Sequence, residues 1–245
     1  MLEKKPIVRI CVPYPNHGTV KKKCLASLEE VLDMTEIEPQ IKMIQGATIA
    51  NQRNAGVNGH ASQRAKQTVD FDYYLSIDSD IAFKPENILQ LIKWDFDIIG
   101  GAYECRGETD RYVAGKFQST DCQRVLKENM LTKEYGGIQT IDWIGTGFLL
   151  IKKGVFEALE YPWFRDMVIP FMDDEGVKCN TWVGEDVGFC IAAQNAGYKI
   201  YADLDCKVEH LLDTQQVNSE KIDTTIYNDS DSDSFFSITE EKEEN

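Results

Sequence analysis

A chain of 245 residues with 42% hydrophobic and 27% charged residues has the composition of a globular protein, with room for one large domain or two small ones. Its net charge of −15 opposes binding to a phosphate backbone, so we expect no nucleic-acid partner. No apolar run approaches the ~20 residues that cross a bilayer, and residues 1–6 lack the apolar core of a secretory signal. We therefore expect no transmembrane segment and a cytoplasmic protein.

The cysteines and the acidic C-terminal segment set two further expectations. Seven scattered cysteines without a Cys-x-x-Cys pair indicate a reducing compartment and no zinc site. Residues 213–245 carry ten acids against two lysines, a charge of −8 that leaves −7 for the rest of the chain. Within them, the acidic run at 228–234 is low in complexity. We expect a folded domain at 1–212, followed by an acidic disordered tail or linker at 213–245.

The first part of the chain predicts a strand–helix–strand unit. Residues 7–13 form a β-rich run that ends at a proline, and Thr19 can cap a helix whose apolar positions reach Leu32. A second strand is predicted at 39–45. The next segment, 48–67, has helical character but is polar, and such a helix faces either solvent or a polar ligand.

Residues 73–80 read Tyr-Tyr-Leu-Ser-Ile-Asp-Ser-Asp, an apolar run that stops at two carboxylates. This pattern predicts a buried strand that delivers Asp78 and Asp80 to the sheet edge where α/β proteins bind ligands. Residues i and i+2 share a face of an extended chain, so the two carboxylates can converge on one target. They repel each other unless a cation is present, and oxygen ligands suit Mg²⁺ or Mn²⁺. The alternative is an acidic turn that caps the helix starting near Pro85.

The second half of the chain continues the alternation of helices and strands. The predicted elements are a helix at 85–94, a strand at 97–103, loops with short strands at 105–137, strands at 138–143 and 148–152, a short helix at 155–159, a helix at 184–195 and a strand at 199–208. Together with the first half, this pattern predicts a single α/β domain with a mixed, mostly parallel central sheet flanked by helices.

Two short motifs in this half can take part in chemistry. Gly145 and Gly147 lie between two predicted strands, where glycines either let the backbone approach a ligand or simply form a β-turn. Glu185 and Asp186 open a helix, where the macrodipole favours negative charge. They are therefore either capping residues or a positioned base.

Several aromatic residues precede the Glu-Asp pair. They are Trp163, Phe164, Phe171 and Trp182. Exposed aromatic rings beside acids suit the apolar faces of sugar rings, whereas buried ones would form a satellite core. The sequence leaves both interpretations open.

Taken in order, these motifs resemble those of the GT-A glycosyltransferases, and most nearly the family-2-like nucleotide-sugar transferases. The resemblance covers roughly residues 7–210. It rests on Val12-Pro13 at the end of the first strand, Ala-Asn-Gln-Arg-Asn-Ala-Gly at 50–56, Asp78-Ser79-Asp80, the glycine loop at 143–148, Gly184-Glu185-Asp186 and Val208-Glu209-His210. The short chain without a membrane anchor is also similar to some virus-encoded members, for which the host cytoplasm is the expected location.

The resemblance implies a GT-A fold and transfer of a sugar from a nucleoside-diphosphate donor, a UDP-sugar, to a hydroxyl of a glycan acceptor. It implies that Asp80 and His210 bind Mn²⁺ or Mg²⁺ together with diphosphate oxygens, and that Asp78 contacts the ribose or the water shell of the metal. Asp186 is implied as the catalytic base of an inverting enzyme, with Glu185 as its neighbour.

For the donor, the resemblance implies that Pro13 and Tyr14 border the base and that Arg53 contacts base or phosphate. It also implies that Gly145 and Gly147 border the donor sugar and the acceptor. One departure is the loop Pro-Tyr-Pro-Asn-His-Gly at 13–18, where the family usually has a simpler Pro-x-Tyr-Asn. In that family an acid early in the second strand often binds the uracil, and Glu38 is the candidate here.

Two other functions remain open at this stage. Sugar-nucleotide nucleotidyltransferases have a related α/β fold, but they usually begin with a Gly-rich loop that carries Lys or Arg. Residues 13–18 hold one glycine and neither basic residue. A catalytically dead carbohydrate-binding GT-A domain is the second alternative, and the presence of Asp80, Asp186 and His210 argues against it.

Overall fold

The computed structural model describes residues 4–15, 18–59, 70–106, 108–117, 130–172 and 175–211. The predicted tail at 213–245 and the end of the helix predicted at 48–67 lie outside these residues. The helices are α1 Lys22–Leu32, α2 Ile49–Asn58, α3 Pro85–Lys93, α4 Val155–Ala158 and α5 Glu185–Asn195. The strands are β1 Ile7–Pro15, β2 Glu38–Gly46, β3 Tyr73–Ile77, β4 Ile81–Ala82, β5 Ile98–Ala102, β6 Glu104–Cys105, β7 Glu108–Gly115, β8 Met130–Thr132, β9 Ile138–Ile141, β10 Trp143–Ile144, β11 Phe148–Lys152, β12 Met167–Met172, β13 Lys178–Val183, β14 Ile200–Lys207 and β15 Glu209–His210.

A seven-stranded mixed sheet forms the centre of the fold, in the order β2-β1-β3-β11-β5-β14-β9. Strands β2, β1, β3, β5 and β14 run in one direction, and β11 and β9 run against their neighbours. At its centre, Ile10 is paired with Ile41 on one side and Leu75 on the other. The prediction of a single α/β domain with a mixed, mostly parallel sheet is confirmed.

The two faces of the sheet bury separate apolar layers. Successive strand residues point to opposite faces, so Ile10 and Leu75 pack with α1 and α3, whereas Cys11 and Tyr74 pack with α2, α4 and α5. Each fully buried aliphatic or aromatic side chain contributes about 1.5–3 kcal/mol to folding. The two layers therefore hold helices firmly against both faces and fix the edges of the sheet.

The carboxyl ends of the parallel strands meet at one edge of the sheet. Strands β3, β5 and β14 end there, and the antiparallel β11 begins there at Phe148, which pairs with Ile77. The residues that follow these ends, from Asp78, Tyr103 and Val208 onward, are consequently neighbours in space. This carboxyl edge is where open α/β sheets bind ligands.

Three local features differ from the sequence-based predictions. Strand β1 runs two residues further than predicted, to Pro15, because it stays paired with β2. Helix α1 begins at Lys22 without the predicted cap, since a backbone bond from Lys21 to the Ser79 carbonyl (2.8 Å) keeps the chain extended past Thr19. The β12–β13 hairpin was not predicted, because its alternating polar residues resemble a loop.

Most of the polar side chains of helix α2 do not face solvent, so the prediction of a solvated helix is wrong. Its polar side chains from Gln52 onward, Gln52, Arg53, Asn54 and Asn58, are buried against β1 and the loop before β12, whereas Asn51 in the first turn is exposed. Asn54 holds that loop, because its amide donates to the Phe164 carbonyl (2.8 Å) and accepts from the Phe164 amide (3.1 Å). A Cβ at Gly56 would lie 2.5 Å from the Cys11 sulfur, so glycine permits the close contact between helix and sheet.

Two further features concern the helices and the cysteines. Within the residues that the structure describes, none of the helices combines the length and apolar character needed to cross a membrane. No disulfide joins any two of the six cysteines that the structure describes.

The Asn54 contact gives a stability prediction. Asn54→Ala should lower the free energy of unfolding by about 2–4 kcal/mol, because two buried backbone groups of Phe164 lose their partners. Asn51→Ala, an exposed position on the same helix, is the control and should change it by less than about 1 kcal/mol. Urea unfolding measures both, and equal effects of the two substitutions would contradict a stabilising role of the Asn54–Phe164 hydrogen bonds.

Candidate functional site

A buried arginine joins the Asp-x-Asp motif to the Glu-Asp motif. The Arg53 side chain is 3% exposed; its Nη2 donates to Asp78 Oδ1 at 2.6 Å, its Nη1 to Glu185 Oε1 and its Nε to Ser76 Oγ at 3.4 Å. Burial disfavours the guanidinium charge, but Asp78, Glu185 and Asp186 outweigh burial and raise the pKa of Arg53. This network ties the end of β3 to the start of α5.

The same network bears on two predictions. All three guanidinium nitrogens of Arg53 point to protein groups, so a contact of Arg53 with base or phosphate stays a prediction. Asp78 binds Arg53, whereas Asp80 binds Arg106. The chain turns after Asp78, whose carbonyl accepts from the Ile81 amide at 3.0 Å, so it is not extended there. The extended geometry from which the convergence of Asp78 and Asp80 was predicted is therefore absent.

Asp80 and His210 do meet at the carboxyl edge. The short ladder of β4 and β15 pairs Ile81 with His210, and the Leu211 amide donates to the Asp80 carbonyl at 2.8 Å. As a result, Asp80 Oδ2 lies 3.5 Å from His210 Nε2, and the two side chains are only 13% and 14% exposed. Residues 130 positions apart in sequence thus present an oxygen and a nitrogen to the same point.

The tautomer of His210 is fixed by the backbone. Its Nδ1 lies 2.9 Å from the Glu104 carbonyl oxygen, which can only accept, so Nδ1 carries the hydrogen. In the neutral ring this leaves the lone pair on Nε2, which points toward Asp80. The Asp80 carboxylate raises the pKa of His210 and burial partly offsets the rise. Burial raises the pKa of Asp80, but His210 and Arg106 outweigh it, so the net shift is downward.

Arg106 completes this cluster, and no motif in the sequence pointed to it. Its Nη2 donates to Asp80 Oδ2 and its Nε donates to His210 Nε2 at 3.1 Å. The side chain is 64% exposed. The one sequence signal that could have found Arg106 is its position four residues after β5, a strand that ends at the same edge.

The Asp80–His210 pair has the geometry of half a metal site. Two donor atoms 3.5 Å apart can both lie ~2 Å from one ion. A carboxylate suits Mg²⁺ or Mn²⁺ and an imidazole suits transition ions, so the combination favours Mn²⁺. In the described part of the chain, no three His, Cys, Asp or Glu side chains converge on one point. An ion held here would therefore have only these two described side chains as protein ligands.

Asp186 is the carboxylate of this edge that the arginines leave free. Among the described residues no cation forms an ion pair with it, and its Oδ1 accepts from the Val187 amide at 2.7 Å. Removal from water, followed by the negative charge of Glu185, raises the pKa of Asp186 to about 6. A carboxylate with a pKa near neutrality is a suitable general base. Glu185, by contrast, is held by Arg53.

The glycine loop packs closely against Tyr103. Gly145 and Gly147 are both buried, and a Cβ at Gly145 would collide with the Tyr103 hydroxyl. A Cβ at Gly147 would lie 2.9 Å from that hydroxyl and 3.1 Å from Asp78 Oδ2. The glycines therefore allow Tyr103 to pack against the loop and bring the loop beside Asp78. The contact of these two glycines with sugar and acceptor stays a prediction.

The predicted base-binding residues are divided between the edges of the sheet. Pro13 is buried within β1, whereas Tyr14 is partly exposed near the carboxyl edge, where its carbonyl accepts from Gln52 Nε2 at 3.0 Å. Glu38 pairs with Ile7 at the opposite end of the strands. It is therefore too far from the carboxyl edge to bind a base there, and that prediction is wrong.

Of the aromatic residues before the Glu-Asp motif, two are buried and one is exposed. Trp163 and Phe164 are buried in the core against Phe156. Trp182, at the end of β13, is 73% exposed. The side chain of Phe171 lies outside the described part of the structure. Trp182 is thus an exposed ring four residues before Asp186.

Comparisons with known proteins find a similar solved structure but no matching family. No family model matches the chain, and no curated protein matches it. Among solved structures, the crystal structure of A197 from STIV is similar over 86% of this chain and 99% of that chain, with a TM-score of 0.48 and 16% identity. A similarity this low says nothing about activity, which has to be inferred from the site residues.

The raised pKa of Asp186 gives a prediction for stability. Because its pKa is about 6 in the fold, against an ordinary value of 3.8, the folded state binds the proton more tightly and loses stability as pH rises from 4 to 6. Asp186→Asn should therefore raise the free energy of unfolding at pH 8 by about 1–3 kcal/mol and change it little at pH 4.

The control for this prediction is Asp110→Asn, since Asp110 is an exposed carboxylate on β7. It should shift the unfolding free energy by less than about 0.5 kcal/mol at either pH. Urea unfolding at pH 4 and pH 8 measures both variants. An Asp186→Asn variant that is less stable than wild type at pH 8 would contradict the raised pKa of Asp186.

Proposed function

We propose that this protein is a metal-dependent glycosyltransferase that moves a sugar from a nucleoside-diphosphate donor, a UDP-sugar, to a hydroxyl of a glycan acceptor. The observation that supports it most is the meeting of Asp80 and His210 beside the Arg53 network that carries Asp186. Asp80 and His210, which supply two ligands for a cation, then lie at the same edge of the sheet as Asp186, whose pKa is about 6. Transfer of a sugar from a diphosphate to a hydroxyl uses a cation to stabilise the leaving group and a base to accept the hydroxyl proton.

The donor half of the site depends on charge. Four carboxylates lie in this region, at Asp78, Asp80, Glu185 and Asp186, and they would repel a diphosphate on their own. Asp80 and His210 would hold Mn²⁺, and the bound ion supplies the positive charge that stabilises the departing nucleoside diphosphate. The fixed tautomer of His210 favours this role because it keeps Nε2 available as a ligand.

The acceptor half depends on Asp186. As the acceptor oxygen forms a bond to the anomeric carbon of the donor sugar, the bond from that carbon to the phosphate oxygen breaks, and its electron pair leaves with the nucleoside diphosphate. The proton of the acceptor hydroxyl passes to the Asp186 carboxylate. This single displacement inverts the anomeric configuration. Trp182, exposed near the start of α5, is suited to stack on a sugar ring of the acceptor.

Donor binding tests the metal role of Asp80. In Mn²⁺, UDP should raise the melting temperature of the wild type, and Asp80→Ala should abolish the shift because the ion loses its carboxylate ligand. Glu209→Gln is the matched control, since Glu209 is an exposed acid that adjoins His210 and pairs with Lys23. It should retain the shift. An Asp80→Ala protein that still binds UDP in a Mn²⁺-dependent way would contradict the assignment.

Turnover tests the role of Asp186. A screen of nucleotide sugars for transfer or slow hydrolysis in Mn²⁺ identifies the donor, and NMR of the anomeric proton of the product gives the stereochemistry. Asp186→Asn should keep UDP binding and lower transfer at least about 100-fold, because no base accepts the proton. Transfer by the wild type should rise with pH through about 6 as Asp186 loses its proton.

The other results of this screen are equally informative. UDP-sugar binding without any turnover would favour the catalytically dead domain, and formation of a sugar nucleotide from a sugar phosphate would favour the nucleotidyltransferase. A product that retains the configuration of the donor would contradict the single displacement and the role of Asp186.

A further inference from the structure

The guanidinium of Arg106 occupies the position where the ion would bind. One N–H group of Arg106 donates to Asp80 Oδ2 and another donates to His210 Nε2 at 3.1 Å. These are the two atoms that lie 3.5 Å apart and face a common point. An ion ~2 Å from each of them would use the same lone pairs that the guanidinium uses. Arg106 and a metal ion therefore cannot bind this pair at the same time.

The exposure of Arg106 suggests that this contact can be broken. Arg106 is 64% exposed, in contrast to Arg53, which is 3% exposed and has a partner for each guanidinium nitrogen. Asp80 is only 13% exposed, but water and salt reach the Arg106 guanidinium and compete with its side of the ion pair. A buried arginine cannot leave its carboxylates without a large penalty. The protein thus contains one fixed and one displaceable arginine at the same edge.

We propose that Arg106 is an exchangeable cation: it occupies Asp80 and His210 in the metal-free protein, gives way to the divalent ion, and then binds the diphosphate of the donor. This inference rests on the proposed function, because it assumes the same ion and the same donor. In the metal-free protein Arg106 neutralises Asp80 and keeps the lone pair of His210 Nε2 directed at the site. The site is then already arranged for the ion that replaces the guanidinium.

The position of Arg106 supports the second half of the exchange. The residue lies two positions after Glu104, whose carbonyl holds the His210 ring. Its backbone therefore stays near the site after the side chain has moved. A planar guanidinium with several N–H donors matches the oxygens of a phosphate. Once released from Asp80, Arg106 is close enough to add a second positive charge to the diphosphate that the ion holds.

Mn²⁺ binding without nucleotide tests the exchange directly. EPR titration should show that Arg106→Ala binds Mn²⁺ about tenfold more tightly than wild type, because the ion no longer displaces a charge-assisted contact. The control is Lys23→Ala, which removes a positive charge of the same 64% exposure that pairs with Glu209, next to His210. It should change Mn²⁺ affinity less than about twofold, since exposed charges act weakly.

UDP binding at saturating Mn²⁺ should show the opposite order. There, Arg106→Ala should bind UDP about tenfold more weakly than wild type, because the phosphate loses a guanidinium contact. Lys23→Ala should again resemble wild type. The opposite signs of the two effects distinguish an exchangeable cation from a residue that merely supports the local fold, because loss of folding would weaken both affinities.

A measurement on the wild type needs no substitution. In protein labelled with ¹⁵N, the Nε–H signal of Arg106 should shift as diamagnetic Mg²⁺ is added without nucleotide, while that of Arg53 should stay in place.

Three results would overturn the inference. They are equal Mn²⁺ affinities for Arg106→Ala and Lys23→Ala, weaker Mn²⁺ binding by Arg106→Ala, and absence of Mn²⁺ binding in wild type and Arg106→Ala alike. The first two results would leave the proposed transferase function standing. The last result would also contradict its metal dependence, but not sugar transfer itself, for which Arg106 would then be the permanent cation. Failure of the exchange and failure of sugar transfer are thus distinguishable, because the nucleotide-sugar screen measures transfer independently.

Discussion

The buried guanidinium of Arg53 is the constraint on which the site depends. It takes one acid from each of two motifs, Asp78 after β3 and Glu185 at the start of α5, and so fixes these elements against each other. Loss of both acids would leave a buried charge unpaired, and breaking a buried ion pair costs about 3–5 kcal/mol in comparable cases. The other acid of each motif has a different environment: Asp80 is bound by Arg106 and His210, and among the described residues no cation forms an ion pair with Asp186. The two acids of each motif thus divide into one that Arg53 holds and one that it does not.

This division explains how an acidic protein could handle an acidic substrate. Arg53 is bound to Asp78 and Glu185 and balances their charge. Asp80 and Asp186 lie in different environments at the carboxyl edge. Burial and the neighbouring Glu185 raise the pKa of Asp186 to about 6, so that it can exchange a proton near neutrality. The Asp80–His210 pair, in contrast, carries the guanidinium of Arg106, which is exposed. Two arginines with similar partners thus differ in burial, and this difference is the basis of the proposed exchange at Arg106.

The sequence predicted the layers and the active edge, because alternating helices and strands bring strand ends together. It also predicted the approach of Asp80 and His210 through the motif order. It did not predict Arg53 as a bridge or Arg106 as a cation, because these contacts join residues 132 and 104 positions apart and depend on packing angles. The turn after Asp78 was missed, and one such turn changes which residues share a face. Local pattern thus located the strand ends, whereas the contacts of their side chains depend on long-range packing.

The account requires that one ion touch both the His210 imidazole and the diphosphate of the donor. Pulsed EPR of Mn²⁺ bound to the protein with UDP measures these two contacts in a single sample, through the ¹⁴N coupling of a ligating ring and the ³¹P coupling of the phosphates. We predict both couplings, with the ¹⁴N signal lost in His210→Ala. A spectrum with ³¹P coupling and no ¹⁴N coupling in the wild type would show that the ion is bound by the nucleotide without His210, and would contradict the account.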